Sequence, residues 1–236
     1  MMQMRLFFSS DSGARDFRHG LLHGSSRVAL ACMLLASTLH AIAATLTVRV
    51  SDTNGLPALD TAVFATATNA KPAARPPAKA AIDQVNKEFV PVLSVIQAGT
   101  SVVFPNRDNI RHHVYSFSPA KMFELKLYSG QPAAPVIFDK PGIVVLGCNI
   151  HDWMISYVVV VDTPYFGKTD ANGAIRLDDV PPGEYELKIW HYRASFPNEM
   201  TATRKLIVAP AGTTADFTVT LTGSAVGGVA GAIGAK

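Results

Sequence analysis

Short runs in which apolar and polar residues alternate cover most of the chain from residue 45 onward. Examples are "TLTVRV" and "KMFELKLYS", and residues such as Gly, Pro, Asn and Asp separate the runs. Alternation with a period of two is typical of half-buried β-strands, and these residues are typical of turns. No long stretch rich in Ala, Glu, Lys and Leu indicates a helix bundle. The pattern therefore predicts an all-β protein.

The strand pattern divides into blocks. Residues 80–162 carry runs spaced as in a β-sandwich, and residues 163–222 carry strands separated by the "DANG" and "PPGEY" turns, which predicts a second, smaller β-sandwich. Residues 69–79, "NAKPAARPPAK", lack apolar periodicity and indicate a linker. Residues 45–68 contain two strand-like runs joined at "DTNG". They belong either to the second sandwich, whose "DANG" turn is similar, or to the start of the first.

Both ends of the chain differ from the strand blocks. In residues 1–43, a basic Arg27 precedes the apolar run "VALACMLLASTLHAIA", which ends in small residues, so we predict a secretory signal peptide. The run is too short for a typical membrane span of about 20 residues. The Gly- and Ala-rich residues 223–236 predict a flexible tail. We expect an exported, periplasmic protein without stable membrane insertion.

Removal of residues 1–43 changes the charge and the cysteine content. Lys plus Arg falls from 21 to 17 and Asp plus Glu from 18 to 16, so the formal charge falls from +3 to +1. A nearly neutral chain lacks the basic face of a nucleic-acid-binding protein. Cys148 becomes the only cysteine, so no intramolecular disulfide can form. Either burial or a metal must then protect its thiol from oxidation.

Metal-binding residue types concentrate in "GCNIHDWM", residues 147–154. A type 1 copper site needs two imidazoles, one thiolate and a weak axial thioether. Cys148, His151 and Met154 supply three of these four ligands from one loop between two apolar runs. The fourth can come from "RHHV", where His112 and His113 precede a predicted strand. Met122 lacks the loop spacing and is expected in the core.

"NRDNIRHHV" followed by "PGIVVLGCNIHDWMISYVVVV" resembles the small periplasmic cupredoxins, the type 1 blue-copper family of amicyanin and plastocyanin. The C-x2-H-x2-M spacing is similar to that of amicyanin, the carrier linked to methylamine oxidation. The resemblance implies a Greek-key sandwich over residues 80–162 and one type 1 copper. Its implied ligands are His112, Cys148, His151 and Met154. Asn106 precedes His112 by six residues, as in the family pattern, which favours His112 and leaves His113 as the alternative.

Residues 45–68 and 163–222 together resemble a carboxypeptidase-regulatory-like, or transthyretin-like, β-sandwich. The stretch "TDANGAIRLDDVPPGEYELKIWH" is its most typical part. This resemblance implies that the copper block is inserted into the second sandwich. Two tandem domains are the simpler alternative.

The expected function is one-electron transfer between periplasmic redox proteins, such as a c-type cytochrome or a dehydrogenase. His151 would be the electron exit, and Ile150 and Trp153 would form a docking patch beside it. A copper carrier or sensor using the same ligands is one alternative, and a structural or carbohydrate-binding β module is another. An enzyme is not expected, because too few histidines remain for a second, all-histidine copper site and no catalytic triad spacing is present.

Overall fold

The computed structural model describes residues 43–69, 76, 78–132, 134–194 and 200–222. Within these ranges it contains seventeen β-strands and no helix, so none of the described segments is a helix able to cross a membrane. The all-β prediction is confirmed. The predicted tail and all but the last residue of the predicted signal segment lie outside the described residues.

The first strands and the last strands of the chain form one sandwich, called here the outer sandwich. Its two sheets have the strand orders β14-β1-β17 and β13-β2-β15-β16. The strands are β1 (Ala44–Asp52), β2 (Ala62–Ala67), β13 (Tyr165–Lys168), β14 (Ala174–Val180), β15 (Gly183–Trp190), β16 (Ala202–Val208) and β17 (Thr213–Val219). Alternate residues of β1, such as Leu46, Val48 and Val50, are buried in the core between these sheets.

The two predicted turns, "DTNG" and "DANG", are stabilised by the same set of hydrogen bonds. One carboxylate oxygen of Asp52 accepts the amides of Asn54 and Leu56, each at 2.8 Å, and one of Asp170 accepts those of Asn172 and Ala174, each at 2.9 Å. Such side-chain caps stabilise tight turns. The strands on either side of the first turn do not pair, because β1 and β2 lie in different sheets.

Residues 79–161 form a second sandwich, called here the inserted sandwich, between β2 and β13. One sheet has the order β6-β12-β11-β8-β9, the facing one has β10-β7-β3, and β4 and β5 make a separate ribbon. The strands are β3 (Lys79–Ala81), β4 (Asp83–Val85), β5 (Glu88–Val90), β6 (Leu93–Gln97), β7 (Thr100–Val103), β8 (His112–Ser118), β9 (Lys121–Tyr128), β10 (Val136–Phe138), β11 (Gly142–Cys148) and β12 (His151–Val161). Lys79, the last residue of the predicted linker, thus already belongs to a strand.

The two sandwiches share an apolar contact through β2. Val63 and Ala65 point into the core of the outer sandwich, whereas Ala62 and Phe64 pack in a separate buried cluster with residues of the inserted sandwich, including Leu93 and Val159. Strand β2 is therefore covered on both faces. This explains why its sequence is almost continuously apolar rather than alternating.

His191 is a buried histidine of the outer sandwich with both ring nitrogens satisfied. Its Nε2 lies 3.1 Å from the carbonyl oxygen of Leu59, and its Nδ1 accepts the amide of Arg193 at 3.0 Å. This pattern requires a neutral ring. Burial lowers the pKa of His191, and the hydrogen bond to Leu59 and the charge of Asp60, which raise it, do not compensate.

Protonation of His191 is expected to destabilise the fold in mild acid. Because its folded pKa lies below the unfolded value of about 6.5, the unfolded chain binds more protons as the pH falls through this region. The free energy of unfolding should then decrease by at most about 1.4 kcal/mol per pH unit from this group. Urea unfolding of the wild type and of His191→Gln between pH 7 and 5 checks this. An equally steep pH dependence in the variant would contradict the assignment.

Candidate metal centre

Three predicted ligands meet at one end of the five-stranded sheet. Strand β8 begins at His112, β11 ends at Cys148 and β12 begins at His151. Cys148 pairs with His151 across a tight turn that has Asn149 and Ile150 at its tip, and β8 lies next to β11 in the sheet. Neighbouring strand ends therefore bring together residues separated by up to 39 positions.

The three ligand atoms converge closely. Cys148 Sγ lies 3.8 Å from His112 Nδ1 and 3.9 Å from His151 Nδ1, and all three candidate atoms lie within 4.8 Å of one another. The two imidazole rings are 5.1 Å apart and inclined by 56°. Cys148 and His112 are buried, and His151 is half-buried. Protein atoms therefore shield Cys148 and His112 from solvent, and His151 is the part of the site that solvent can contact.

These separations fit a metal bound in a trigonal plane. Metal–sulfur and metal–nitrogen bonds of about 2.3 and 2.0 Å place the donors about 3.7 to 3.9 Å apart when the bonds diverge by about 120° to 130°. A tetrahedral angle would bring them to about 3.5 Å. The two observed sulfur–nitrogen separations, 3.8 and 3.9 Å, agree with these wider angles, and the two imidazoles offer ligand atoms within 4.8 Å of each other. One thiolate and two imidazoles in such a plane are the donor set of type 1 copper.

Met154 is buried in the same core cluster as Cys148. The pairing of β11 with β12 is irregular at this point: Gly147 pairs with Ile155, but Cys148 pairs with His151. The intervening residues 152–154 therefore have no partners in the β11–β12 register. This irregularity allows Met154 to be buried while Asp152 and Trp153 are exposed.

The two adjacent histidines of β8 have different surroundings. His112 is fully buried, with Nδ1 toward Cys148 and Nε2 at 2.8 Å from Asp108 Oδ2. His113 Nε2 lies 3.0 Å from Glu124 Oε1, a contact at ion-pair distance without hydrogen-bond geometry. His112 therefore faces the cluster with Cys148 and His151, whereas His113 faces Glu124 on the neighbouring strand β9.

Asn106 and Asp108 also contribute to the site, although sequence reasoning assigned no role to Asp108. The side-chain amide of Asn106 donates to the carbonyls of Ile110 and Tyr128, at 2.8 and 2.9 Å, and its oxygen accepts the amide of Asp108 at 3.0 Å. These bonds fix the loop that leads into His112. The only sequence signal for this contact is that Asp108 lies four residues before His112. Whether the two side chains come into contact depends on the conformation of the loop between them.

Two pKa shifts favour the ligand protonation states. Burial raises the pKa of Asp108, but hydrogen bonds from the amide of Lys87, from His112 and from the amide of Asn86 outweigh it, so the pKa lies below its ordinary value. Burial lowers the pKa of His151, electrostatic interactions with His112 and Lys87 add to this effect, and the Asp108 carboxylate, which raises it, does not compensate. Asp108 is therefore held as a carboxylate, and His151 is favoured as a neutral imidazole.

The predicted docking residues are exposed beside His151. Trp153 is 59% and Ile150 is 46% exposed. The indole of Trp153 lies 5.0 Å from the His151 ring and donates from Nε1 to the carbonyl oxygen of Lys87 at 3.2 Å. Trp153 is therefore an exposed side chain that is hydrogen-bonded to Lys87 and in contact with the half-buried imidazole.

The expectation that Met122 lies in the core is wrong. Met122 is 71% exposed, because it shares the outer face of β9 with Glu124 and Lys126, which are also exposed. The alternation in "KMFELK" already places Met122 on the same strand face as the charged residues Glu124 and Lys126.

Comparisons with known proteins reveal similar solved structures. No family model matches the chain, and no curated protein matches its sequence. A purple cupredoxin from Nitrosopumilus maritimus is 21% identical over 35% of this chain and 99% of its own, with a TM-score of 0.31. Amicyanin from Paracoccus versutus is 20% identical over 42% of this chain and 98% of its own, with a TM-score of 0.31.

A Cu-containing nitrite reductase from Thermus scotoductus is 25% identical over 41% of this chain, with a TM-score of 0.33, and this chain covers only 25% of it. TM-scores of 0.31 to 0.33 do not assign the chain to a family. The transthyretin-like assignment of the outer sandwich stays a prediction.

Proposed function

We propose that the protein is an exported type 1 copper protein that transfers single electrons between periplasmic redox partners. The observation that carries this proposal is the convergence of His112, Cys148 and His151 at separations that suit a trigonal metal site. The leader sequence supports export. The similarity of the Cys148, His151 and Met154 spacing to that of amicyanin implies a partner such as a c-type cytochrome or a methylamine-oxidising dehydrogenase.

Each residue of the site would have a distinct role in this proposal. Cys148 would hold copper through its thiolate and His112 and His151 through Nδ1, and the buried thioether of Met154 would be a fourth, weaker donor. Copper bound there would supply one-electron redox chemistry. The strand ends and the buried core hold the two imidazoles and the sulfur in place, which favours rapid transfer because little has to rearrange.

A carrier is favoured over an enzyme by the residues around the site. Among the described residues, this is the only cluster of three or more His, Cys, Asp or Glu side chains suited to a metal. His113 faces Glu124, and His191 is hydrogen-bonded within the outer sandwich. A second, all-histidine copper site therefore finds no support in the described part of this chain.

The experiment that tests the proposal is an optical and EPR spectrum of the copper-loaded protein, followed by a redox titration. An intense visible thiolate-to-copper band, one copper per chain and a reversible one-electron potential are expected. A colourless protein that binds Cu(I) and passes it to a chelating acceptor would support a copper carrier instead. Absence of copper binding would overturn both readings.

Trp153 is expected to serve electron exchange with the partner. Its exposed indole contacts His151, and with Ile150 it offers an apolar surface of the kind used in small, transient redox interfaces. Trp153→Ala should slow reduction by a partner cytochrome about tenfold, because docking and contact with the imidazole are both lost.

Stopped-flow kinetics with the copper-loaded protein measure this rate. Ile207→Ala is the matched control, because Ile207 is similarly exposed on the outer sandwich. Equal rates for the two variants would contradict a docking role for Trp153.

A further inference from the structure

Asp108 connects two separate parts of the chain beside the metal centre. Its carboxylate accepts the amides of Asn86 and Lys87, at 2.6 and 2.8 Å. It also accepts a hydrogen bond from His112 Nε2 at 2.8 Å. The carboxylate is largely buried, with 13% of the side chain exposed. One acidic side chain thus joins the β4–β5 turn to the loop that precedes β8.

We infer that Asp108 is a positioning residue for both imidazoles, acting directly on His112 and through the Asn86–Lys87 turn and Trp153 on His151. The inference rests on the proposed function, since it assumes that the two imidazoles bind copper. It extends that function by identifying the group that sets the orientation of the ligands and the preference of the site for Cu(II) over Cu(I).

The direct effect concerns the tautomer of His112. A carboxylate can only accept a hydrogen bond, so the proton of the neutral ring must lie on Nε2. The lone pair of Nδ1 then faces Cys148 Sγ at 3.8 Å. A carboxylate that is hydrogen-bonded to the second ring nitrogen of a ligand histidine fixes the orientation of the ring and raises its basicity. The nearby negative charge also favours the more highly charged Cu(II).

The indirect effect begins at the β4–β5 turn. Asn86 and Lys87 both have left-handed backbones, with φ of 54° and 61°. This conformation is unfavourable for a residue such as Lys. Asp108 stabilises it by accepting both amides, one on each carboxylate oxygen.

The β4–β5 turn orients the exposed indole of Trp153 beside the metal centre. The carbonyl oxygen of Lys87 accepts the indole Nε1 of Trp153 at 3.2 Å, and this indole lies 5.0 Å from the ring of His151. Loss of the carboxylate should therefore free the turn and, with it, the indole that covers His151.

Asp108→Asn tests the direct effect. The side chain of asparagine has one acceptor oxygen and one NH2 group that only donates. It therefore cannot accept hydrogen bonds from the amides of Asn86 and Lys87 and from His112 Nε2 together. We expect Cu(II) affinity to fall by about 10- to 100-fold. A tenfold loss of preference for Cu(II) over Cu(I) raises the one-electron potential by about 59 mV. Asp83→Asn is the matched control, because Asp83 pairs with exposed Arg107 nearby and does not contact His112.

The double variant Asp108→Asn with Lys87→Gly separates the two effects. Glycine adopts the left-handed turn without strain, so it should restore the turn and the indole N–H signal of Trp153 in NMR spectra. The potential should remain raised, because the hydrogen bond to His112 is still altered. The double variant also provides the measurement if the single variant does not fold.

The outcomes are distinguishable from failure of the proposed function. If the wild type shows the copper band and Asp108→Asn has an unchanged potential and affinity, the inference is wrong and the proposed function stands. If glycine at position 87 restores the potential, a direct action on His112 is excluded. If the wild type binds no copper, the proposed function itself fails.

Discussion

Cys148→Ser is expected to abolish the visible thiolate-to-copper band and the narrow copper hyperfine splitting of the EPR spectrum. A serine hydroxyl is not deprotonated at neutral pH, so it cannot replace the thiolate that defines this site. Copper affinity should fall by more than the roughly 10- to 100-fold that follows loss of an outer hydrogen-bond partner. Optical titration and metal analysis of the dialysed protein measure both effects.

Unfolding must be distinguished from ligand loss in this experiment. Cys148 is buried in the core cluster of the inserted sandwich, and a buried hydroxyl costs about 1 to 3 kcal/mol without a good partner. The metal-free wild type and variant should therefore differ by no more than this amount in urea unfolding. A folded serine variant that keeps the band would exclude Cys148 as the metal ligand.

His112→Ala and His113→Ala should have opposite outcomes. The first removes the imidazole that faces Cys148 and leaves Asp108 without its histidine partner, so we expect the copper band to be lost. The second removes a ring that faces Glu124 and Tyr115, so we expect the band to remain, with a stability loss of about 1 kcal/mol.

Each histidine variant serves as the control for the other, because the positions are adjacent and both rings are largely buried. Copper content, the optical spectrum and the free energy of unfolding should be measured for both. Retention of the band in His112→Ala together with its loss in His113→Ala would reverse the assignment. Loss in both would show that the first two residues of β8 are both needed for the site.

Much of the metal centre could be predicted from local spacing. Cys148 and His151 lie on either side of a two-residue turn between paired strands, so their proximity follows from the sequence of one hairpin. The period-two patterns likewise predicted most strands of the inserted sandwich. These features depend on residues close in sequence, where chain geometry leaves few alternatives.

The choice between His112 and His113 could not be made from strand alternation. In "HHVYSF" the inward residues Val114 and Ser116 and the outward residues Tyr115 and Phe117 do not differ consistently in polarity. Only the packed structure shows which face is internal. Asp108 was missed for a different reason: its contact with His112 depends on a loop braced by Asn106, and no periodicity governs loops.

The pairing of β1 with β17 has a consequence for how the chain folds. Leu46 pairs with Thr213, so the outer sandwich cannot close until nearly the whole described chain is available. All strands of the inserted sandwich lie between these two residues and can pair earlier. Contacts between distant residues form slowly because a long loop must close first. We therefore expect the metal-binding sandwich to acquire its structure before the outer sandwich that surrounds it in sequence.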